Sequence, residues 1–242
     1  MTETAVSPGA RVRLSGVRKG FREGGRERAV LEGVDVTFEA GDFAVLLGRS
    51  GSGKSTLLNV ISGLELPDHG TVELGEQVLS ELSDERRTLL RRAEIGFVFQ
   101  AFNLVPTLTA LENVLLPLEL IGAIGPPERE RAEGMLERVG LSDRSASYPD
   151  VLSGGEQQRL AIARALAHQP KLILADEPTG NLDLETGREV LNLLESLVRE
   201  EKRTLIMVTH AREVMGHADR LFQLQKGVLS PVETASLAES HE

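Results

Sequence analysis

Short apolar runs separated by turn residues dominate the N-terminal part of the chain. The runs cover residues 12–14, 29–31, 34–38 and 43–47, and the last leads directly into Gly48. Runs of this length between glycine and polar clusters are typical of β-strands. The pattern predicts several strands, partly antiparallel, that lead into a buried one.

The pattern becomes helical in the middle of the chain. Apolar residues within 132–139 follow helical spacing, and Gly140 is well placed to end that helix. Thr109 and Glu112 form a possible capping box, in which each side chain hydrogen bonds to the other residue's backbone N–H at a helix start. We therefore expect an inserted α-helical subdomain at about residues 101–165.

Two further apolar runs, at residues 172–175 and 205–208, each end at polar residues. An amphipathic helix is expected between them, from about Glu185 to Glu200. Strands that alternate with helices predict a mostly parallel sheet covered on both faces, with ligand-binding loops at the carboxyl ends of its strands.

The two ends of the chain lack apolar periodicity. Residues 1–9 and 232–242 are small, polar or acidic. We expect them to be loose tails around one domain at residues 10–231.

Composition narrows the range of partners. Among 242 residues, 37 Asp and Glu outnumber 27 Lys and Arg, and the net charge of -10 argues against a protein that grips nucleic acid. The chain contains no cysteine, so it has neither disulfides nor thiolate metal sites. The longest apolar stretch, residues 114–124, is too short to span a bilayer, and no signal peptide is visible. We expect a soluble, cytoplasmic protein that contacts a membrane only through a partner.

A glycine-rich loop follows the strand predicted at residues 43–47. It reads Gly48-Arg49-Ser50-Gly51-Ser52-Gly53-Lys54-Ser55, and a helix-like run begins at Thr56. The loop fits the phosphate-loop pattern G-x-x-x-x-G-K-[ST] at each fixed position. In such a loop, backbone N–H groups surround the β- and γ-phosphates, the lysine offsets their charge and the final serine binds Mg²⁺. A flexible glycine turn is the alternative, and the strand and helix on either side argue against it.

Two adjacent carboxylates, Asp176 and Glu177, stand at the end of the run at residues 172–175. Asp176 is in the position expected of the Mg²⁺ partner in a phosphate-loop hydrolase. Glu177 could orient or deprotonate the attacking water. The alternative is an acidic turn before Pro178.

The segment Leu152–Gln158 reads LSGGEQQ and allows two interpretations. Ser153 and Glu156 form a capping box, the ordinary start of a helix. Gly154 and Gly155 are unexpected there, because a glycine costs a helix up to about 1 kcal/mol relative to alanine. A bare helix N-terminus beside a serine hydroxyl also binds anions such as phosphate. On this segment alone, both interpretations stay open.

The order of these motifs resembles that of the ATP-binding-cassette (ABC) ATPases. The order is the phosphate loop, Gln100, Leu-Ser-Gly-Gly-Glu-Gln from Leu152, Asp176-Glu177, Asn181-Leu-Asp183 and His210, within about residues 12–229. The resemblance implies an α/β fold: a phosphate-loop nucleotide hydrolase core with a mostly parallel sheet, an N-terminal antiparallel β subdomain and an inserted α-helical subdomain. It also implies an ATPase that sandwiches two Mg·ATP molecules between two copies of the chain.

The resemblance also implies residue roles. Gln100 would link Mg²⁺ and the attacking water to movement of the helical subdomain, and His210 would hold the γ-phosphate. Asp183 would lie at the dimer interface, and Ser153–Glu156 would contact the ATP held by the other copy. Phe21 would stack on adenine, although a phenylalanine between strands is packed in a core at least as often. The expected set is catalytic Lys54, Gln100, Glu177 and His210; Mg²⁺ ligands Ser55, Gln100 and Asp176; and nucleotide contacts Phe21, Gly48, Arg49, Ser50, Gly51, Ser52, Gly53, Lys54, Ser55, Thr56, Gln100, Ser153, Gly154, Gly155, Glu156, Asp176, Glu177, Asp183 and His210.

Within this family, Phe97–Leu104, Leu108–Val114 and Ala175–Asp183 resemble the branch of lipoprotein-releasing, macrolide-exporting and cell-division ATPases. Arg49 stands where proline is frequent and Ala211 where aspartate is usual, and neither difference removes a catalytic group. The resemblance implies a subunit that drives an integral-membrane permease, of export or lipoprotein-release type, at the inner face of the cell membrane.

Two other functions remain possible at this point. The same ATPase cycle could drive a non-transporting membrane complex that controls cell-wall enzymes. A soluble cassette protein acting on DNA or ribosomes is disfavoured, because the chain has no long coiled-coil insertion, second cassette or basic face.

Overall fold

An antiparallel sheet forms the N-terminal part of the fold. The computed structural model describes residues 9–232, in which strands β1 (Val12–Glu23), β2 (Arg26–Phe38), β4 (His69–Leu74) and β5 (Gln77–Val78) form a sheet in the order β2-β1-β4-β5. This confirms the predicted antiparallel subdomain. The separate apolar runs at 29–31 and 34–38 are one strand, β2. Gly33 joins them with φ +76°, which glycine adopts without strain, and β2 pairs with β1 on both sides of it.

A second sheet carries the loops that contain most of the predicted site residues. Its strands are β3 (Phe43–Leu47), β6 (Ile95–Phe99), β7 (Leu172–Asp176), β8 (Thr204–Thr209), β9 (Arg220–Gln225) and β10 (Val228–Pro231). They lie in the order β10-β9-β3-β8-β7-β6, and all neighbouring pairs are parallel except β10 with β9. The mostly parallel sheet is therefore confirmed.

Helices cover both faces of this sheet. They are α1 (Lys54–Ile61), α2 (Asp84–Glu94), α3 (Ala110–Leu120), α4 (Pro126–Arg138), α5 (Gly154–Leu166) and α6 (Leu184–Glu200), and short 3-10 turns lie at Leu79–Glu81, Ser142–Arg144, Pro149–Val151 and Arg212–His217. Alternate residues of β3 face opposite cores: Val45 packs with α5 and α6, whereas Leu46 packs with α1 and the N-terminal sheet. The period of two along the strand therefore separates the two cores.

The predicted helical subdomain consists of α3, α4 and the start of α5. Val114, Ala132 and Leu160, one from each helix, are fully buried in one apolar cluster. The predicted capping box at Thr109 is present, and Gly140 ends the α4 segment with φ +70°. Among residues 9–232, no helix has the length and apolar character needed to cross a bilayer.

Helix α5 approaches β6 so closely that only glycine fits between them. A Cβ on Gly96 would overlap the carbonyl oxygen of Ala165, which belongs to α5. Such backbone contact leaves no room for a side chain. The backbone of α5 therefore packs directly against β6, the strand that ends at the predicted site.

Two residues of the predicted tails are hydrogen bonded to the fold. Gly9 donates its N–H to the carbonyl of Lys202 at 2.9 Å, and Val232 donates to Leu221 at 2.9 Å. These backbone hydrogen bonds tie both residues to the fold, which a lack of apolar periodicity could not reveal. The other predicted tail residues, 1–8 and 233–242, lie outside the described residues.

His168 follows α5 and makes stability depend on pH. It is 9% exposed, and its Nε2 lies 3.2 Å from the carbonyl oxygen of Ile95, so Nε2–H donates and Nδ1 carries the lone pair. Burial lowers the pKa of His168 to about 4. Between the unfolded pKa of about 6.5 and this value, the unfolded chain binds the extra proton, so stability falls as the pH decreases.

We predict that His168→Gln, which keeps a donor for the Ile95 carbonyl, removes this dependence. Urea unfolding at pH 7 and pH 5 should show a loss of free energy of unfolding that is larger in the wild type than in the variant by about 2 kcal/mol. Equal losses in the two proteins would contradict the prediction.

Candidate active site

The loop after β3 has a backbone that only glycine allows at three positions. Gly51 and Gly53 have φ +75° and +101°, the left-handed region that favours glycine. A Cβ on Gly48 would lie 2.5 Å from Ser52 Oγ and 2.9 Å from the carbonyl oxygen of Leu224. The loop is therefore held in one compact turn against β9.

Helix α1 begins at this loop with an electropositive end. Gly53 is its N-cap, and its first turn holds no acidic side chain. The unpaired backbone N–H groups and the helix dipole together favour an anion at this end. Ser55 is exposed and Thr56 partly exposed in this same turn.

The Glu177 carboxylate lies between two nitrogen-bearing side chains. Lys54 Nζ is 3.2 Å from Glu177 Oε1 and also donates to the carbonyl of Gly48 at 2.9 Å. His210 Nδ1 contacts Glu177 Oε2. Glu177 has φ +46°, an uncommon value for a side-chain-bearing residue, and its N–H donates to Val208 at 2.9 Å. The ends of β7 and β8 therefore fix the carboxylate next to the phosphate loop.

Gln100 is held by the segment that follows Glu177. Gln100 Nε2 donates to Asn181 Oδ1 at 3.1 Å, and Asn181 Nδ2 donates back to the Gln100 carbonyl at 3.0 Å. A Cβ on Gly180 would lie 2.7 Å from Gln100 Nε2. The hydrogen-bonded pair Gln100–Asn181 joins the segments that follow β6 and β7. Both segments lie at the same edge of the sheet, because the two strands are parallel.

One cavity of 580 Å³ collects most of the predicted residues. Those that line it are Phe21, Ser50, Gly51, Gly53, Lys54, Ser55, Thr56, Gln100, Asp176 and Glu177. Arg28, Val30, Phe99, Ala101 and Asn103 also line it. Arg28 and Val30 lie on β2, outside any motif, whereas Phe99, Ala101 and Asn103 lie in the segment 97–104, whose pattern pointed to a branch of the family and not to a contact with a ligand.

Five other predicted residues line two further cavities. Gly48, Arg49 and Ser52 line a neighbouring cavity of 470 Å³ that shares Ser50 and Gly51 with the first. His210 and Asp183 line a third cavity, of 270 Å³. The contact of His210 with Glu177 links the third cavity to the first.

Phe21 is not a core residue. Its side chain is 37% exposed, and the Lys19 ammonium lies 5.5 Å from the centre of its ring. The alternative in which Phe21 is packed in a core is therefore wrong, and the ring is available to a planar ligand at the cavity wall.

Asp183 caps helix α6. Its carboxylate accepts a hydrogen bond from the N–H of Thr186 at 3.0 Å. Hydrogen bonds from the side chain and the backbone of Thr186 hold the pKa of Asp183 below its usual value. The exposed carboxylate is thus ionised and fixed in direction.

Ser153 and Glu156 form the predicted capping box at the start of α5. Ser153 Oγ donates to Glu156 Oε2 at 2.7 Å and accepts from the Glu156 N–H at 3.3 Å. Hydrogen bonds from Ser153, first from its backbone, lower the pKa of Glu156. Of the cavity-lining residues in the described part of the chain, none comes from 153–156. This end of α5 therefore does not face its own chain's phosphate loop cavity.

The two glycines at the start of α5 differ in their surroundings. Gly155 is buried, and a Cβ on it would lie 2.6 Å from Thr186 Cγ2 on α6. A Cβ on Gly154 would lie 3.3 Å from Leu182 Cδ2, the tip of a side chain. Close packing of two helices thus explains Gly155, a steric reason that the sequence interpretation had missed, and it leaves Gly154 without a packing reason.

Comparisons with known proteins show which proteins this chain resembles. A family profile described as "ABC transporter" matches residues 31–180. An uncharacterized ABC transporter ATP-binding protein of Mycobacterium tuberculosis is 53% identical over 220 residues, covering 91% of this chain and 89% of that protein. The lipoprotein-releasing system ATP-binding protein LolD of Gluconobacter oxydans is 48% identical over 228 residues, 93% of this chain and 98% of that protein. The dimeric structure of the ATP-binding cassette MJ0796 in a post-hydrolysis state, bound to ADP and Pi, is similar with a TM-score of 0.83 at 41% identity, covering 92% of this chain and 99% of that one.

We predict that Gly155→Ala lowers the free energy of unfolding by about 1–3 kcal/mol, because the added methyl group overpacks the contact with Thr186. Gly154→Ala is the matched control: alanine favours the helix, and the Leu182 tip can give way. Urea unfolding of both variants measures the difference. Equal stability of the two would show that the α5–α6 contact does not require glycine.

Proposed function

Because this chain belongs to the ABC transporter family, we propose that it is the ATP-hydrolysing subunit of a membrane transport complex and works as an ATP-dependent dimer. The observation that carries the proposal is the convergence of Lys54, Glu177 and His210 at the phosphate loop. Phosphoryl transfer to water needs a loop that binds the phosphates, a general base for the attacking water and a polar group that holds the γ-phosphate. Lys54, Glu177 and His210 would supply these in turn.

The residues proposed for Mg²⁺ fit that ion. Ser55, Gln100 and Asp176 offer a hydroxyl, an amide and a carboxylate on the wall of one cavity, and Mg²⁺ prefers such oxygen donors. Among the side chains that the structure describes, no group of three or more His, Cys, Asp or Glu could hold a metal ion. In the proposed complex, the ATP phosphates would supply further ligands. When bound, Mg²⁺ offsets the charge that develops on the phosphates.

Lys54 and Glu177 change partners in the proposed reaction. The ammonium of Lys54 is within reach of both the loop carbonyls and the Glu177 carboxylate. Phosphate oxygens would take the place of that carboxylate around Lys54. Glu177 is then available to orient and deprotonate the attacking water, while His210 holds the γ-phosphate.

A second copy of the chain completes each site in this proposal. Ser153–Glu156 do not line their own chain's cavity, yet the first turn of α5 presents backbone N–H groups and an exposed serine. These groups would contact the ATP held by the other copy, with Asp183 at the interface. The dimeric neighbour structure, bound to ADP and Pi, supports this arrangement.

An integral-membrane permease is the proposed second partner. A groove of 310 Å³ between β6 and the helical subdomain is lined by Phe97, Phe99, Leu116, Pro117 and Leu120, with Arg92 and Arg164 at its side. It adjoins the Gln100 loop through Phe99 and Asn103, which line both this groove and the nucleotide cavity. A permease helix bound there would contact residues that move with the nucleotide site. It would also hold the subunit at the inner face of the membrane. Of the two expected types, export and lipoprotein release, the name of the LolD relative favours lipoprotein release.

We predict that Glu177→Gln slows ATP hydrolysis by about 10²-fold or more, while ATP binding persists, because only the general base is lost. The variant should therefore form dimers with Mg·ATP, measured by sedimentation velocity. Glu133→Gln, the same change at an exposed site on α4, is the control and should hydrolyse ATP as the wild type does. A Glu177→Gln variant that stays monomeric at saturating Mg·ATP would contradict the shared site.

We predict that Leu120→Glu prevents co-purification of the permease from detergent-solubilised membranes of the native cell. Leu120 is 50% exposed in the groove, and a carboxylate there costs the apolar contact. Leu64→Glu, at a similarly exposed leucine outside the groove, should leave co-purification intact. Equal recovery of the permease with both variants would place its docking site elsewhere.

A further inference from the structure

Helix α5 turns a fully buried glutamine towards the ends of two strands. Gln158 is 0% exposed. Its Nε2 donates to the carbonyl of Pro178 at 2.6 Å and lies 3.4 Å from the carbonyl of Phe99, the last residue of β6. One amide group therefore joins three elements: α5, β6 and the segment after β7.

The two carbonyls stand next to the residues that the proposed mechanism uses. Phe99 directly precedes Gln100, and Pro178 directly follows Glu177. A shift of Gln158 would therefore move the backbone of both residues. The side chain itself touches neither the cavity nor the phosphate loop.

Core stability does not account for the amide oxygen of this glutamine. Its Oε1 is buried without a hydrogen-bond partner. A buried polar atom left unpaired costs stability, and an apolar residue of the same length would avoid that cost. The residue is better explained by what its Nε2 holds in place.

The same helix holds the loop on the other side of Gln100. Arg164 donates to the carbonyl of Asn103 at 2.5 Å and to that of Phe102 at 2.9 Å. Phe102 and Asn103 have φ +59° and +51°, which is uncommon for residues with side chains. The loop that carries Gln100 is therefore attached to α5 both before and after that residue.

We propose that Gln158 is a positioning residue for ATP hydrolysis. It sets the spacing between Gln100 and Glu177, so a movement of α5 moves both residues. The inference rests on the proposed function, since it assigns these two residues to the hydrolytic step. Because α5 begins at the segment offered to the other copy's ATP, Gln158 links that contact to the hydrolytic groups of its own chain.

The test separates positioning from binding and from folding. Gln158→Met keeps the length of the side chain and removes the donor, and Gln158→Asn keeps the amide but shortens its reach. Each should lower kcat for ATP hydrolysis about tenfold or more, because displaced catalytic groups lose rate steeply. The Kd for ATP should stay within about twofold of the wild type, since the phosphate loop is untouched. In the Glu177→Gln background, both should still dimerise with Mg·ATP.

The neighbouring glutamine is the matched control. Gln157 Nε2 donates to the carbonyl of Leu152, within its own segment, at 2.9 Å. Gln157→Met should therefore keep kcat within about twofold of the wild type. Thermal unfolding of every variant shows whether it is folded under the conditions of the kinetic measurements.

Each outcome has one meaning. Gln158 variants that fold and retain the wild-type kcat would overturn the inference, and failure of both to fold would do so too, because the glutamine would then be a structural residue. A wild-type protein that does not hydrolyse ATP would instead refute the proposed function.

Discussion

The close approach of helix α5 to the parallel sheet and to α6 is the constraint on which the rest of the site depends. Gly96 lets the backbone of α5 contact β6, and Gly155 lets its first turn contact Thr186 on α6. A methyl group at either position would force the elements apart. The bare end of α5 is therefore held in a definite direction relative to β6 and α6, and that direction leaves it outside its own chain's nucleotide cavity.

The order of the parallel strands brings the proposed catalytic residues together. Strands β3, β8, β7 and β6 are consecutive neighbours and end at one edge, so the phosphate loop, His210, Glu177 and Gln100 meet there although they are far apart in sequence. The buried Lys54 ammonium and the Glu177 carboxylate neutralise each other at this edge. In the proposed reaction, an incoming polyphosphate would compete for that ammonium, and nucleotide binding would thereby release the proposed general base.

Local patterns in the sequence predicted what the backbone does locally. The strand, glycine loop and helix around Lys54, and both capping boxes, follow from residue types at short spacing. Contacts between distant elements were beyond such patterns: Gly155 meets Thr186 thirty-one positions later, and Gln158 reaches Phe99 fifty-nine positions earlier. The one available signal for Gln158 was a polar residue beside the apolar positions of α5. The union of two apolar runs into β2 also needed the register with β1, which periodicity does not report.

In the proposed dimer, each ATP lies between the phosphate loop of one chain and the start of α5 of the other. The chain has no cysteine, so Ser50→Cys and Ser153→Cys, each in the Glu177→Gln background, give proteins with a single thiol. Mixing the two variants with Mg·ATP and a short bismaleimide tests the claim directly. A linked product of twice the chain mass, formed between the two variants only with ATP, is the predicted result. Failure to link the two chains, together with linkage within one chain that carries both cysteines, would contradict it.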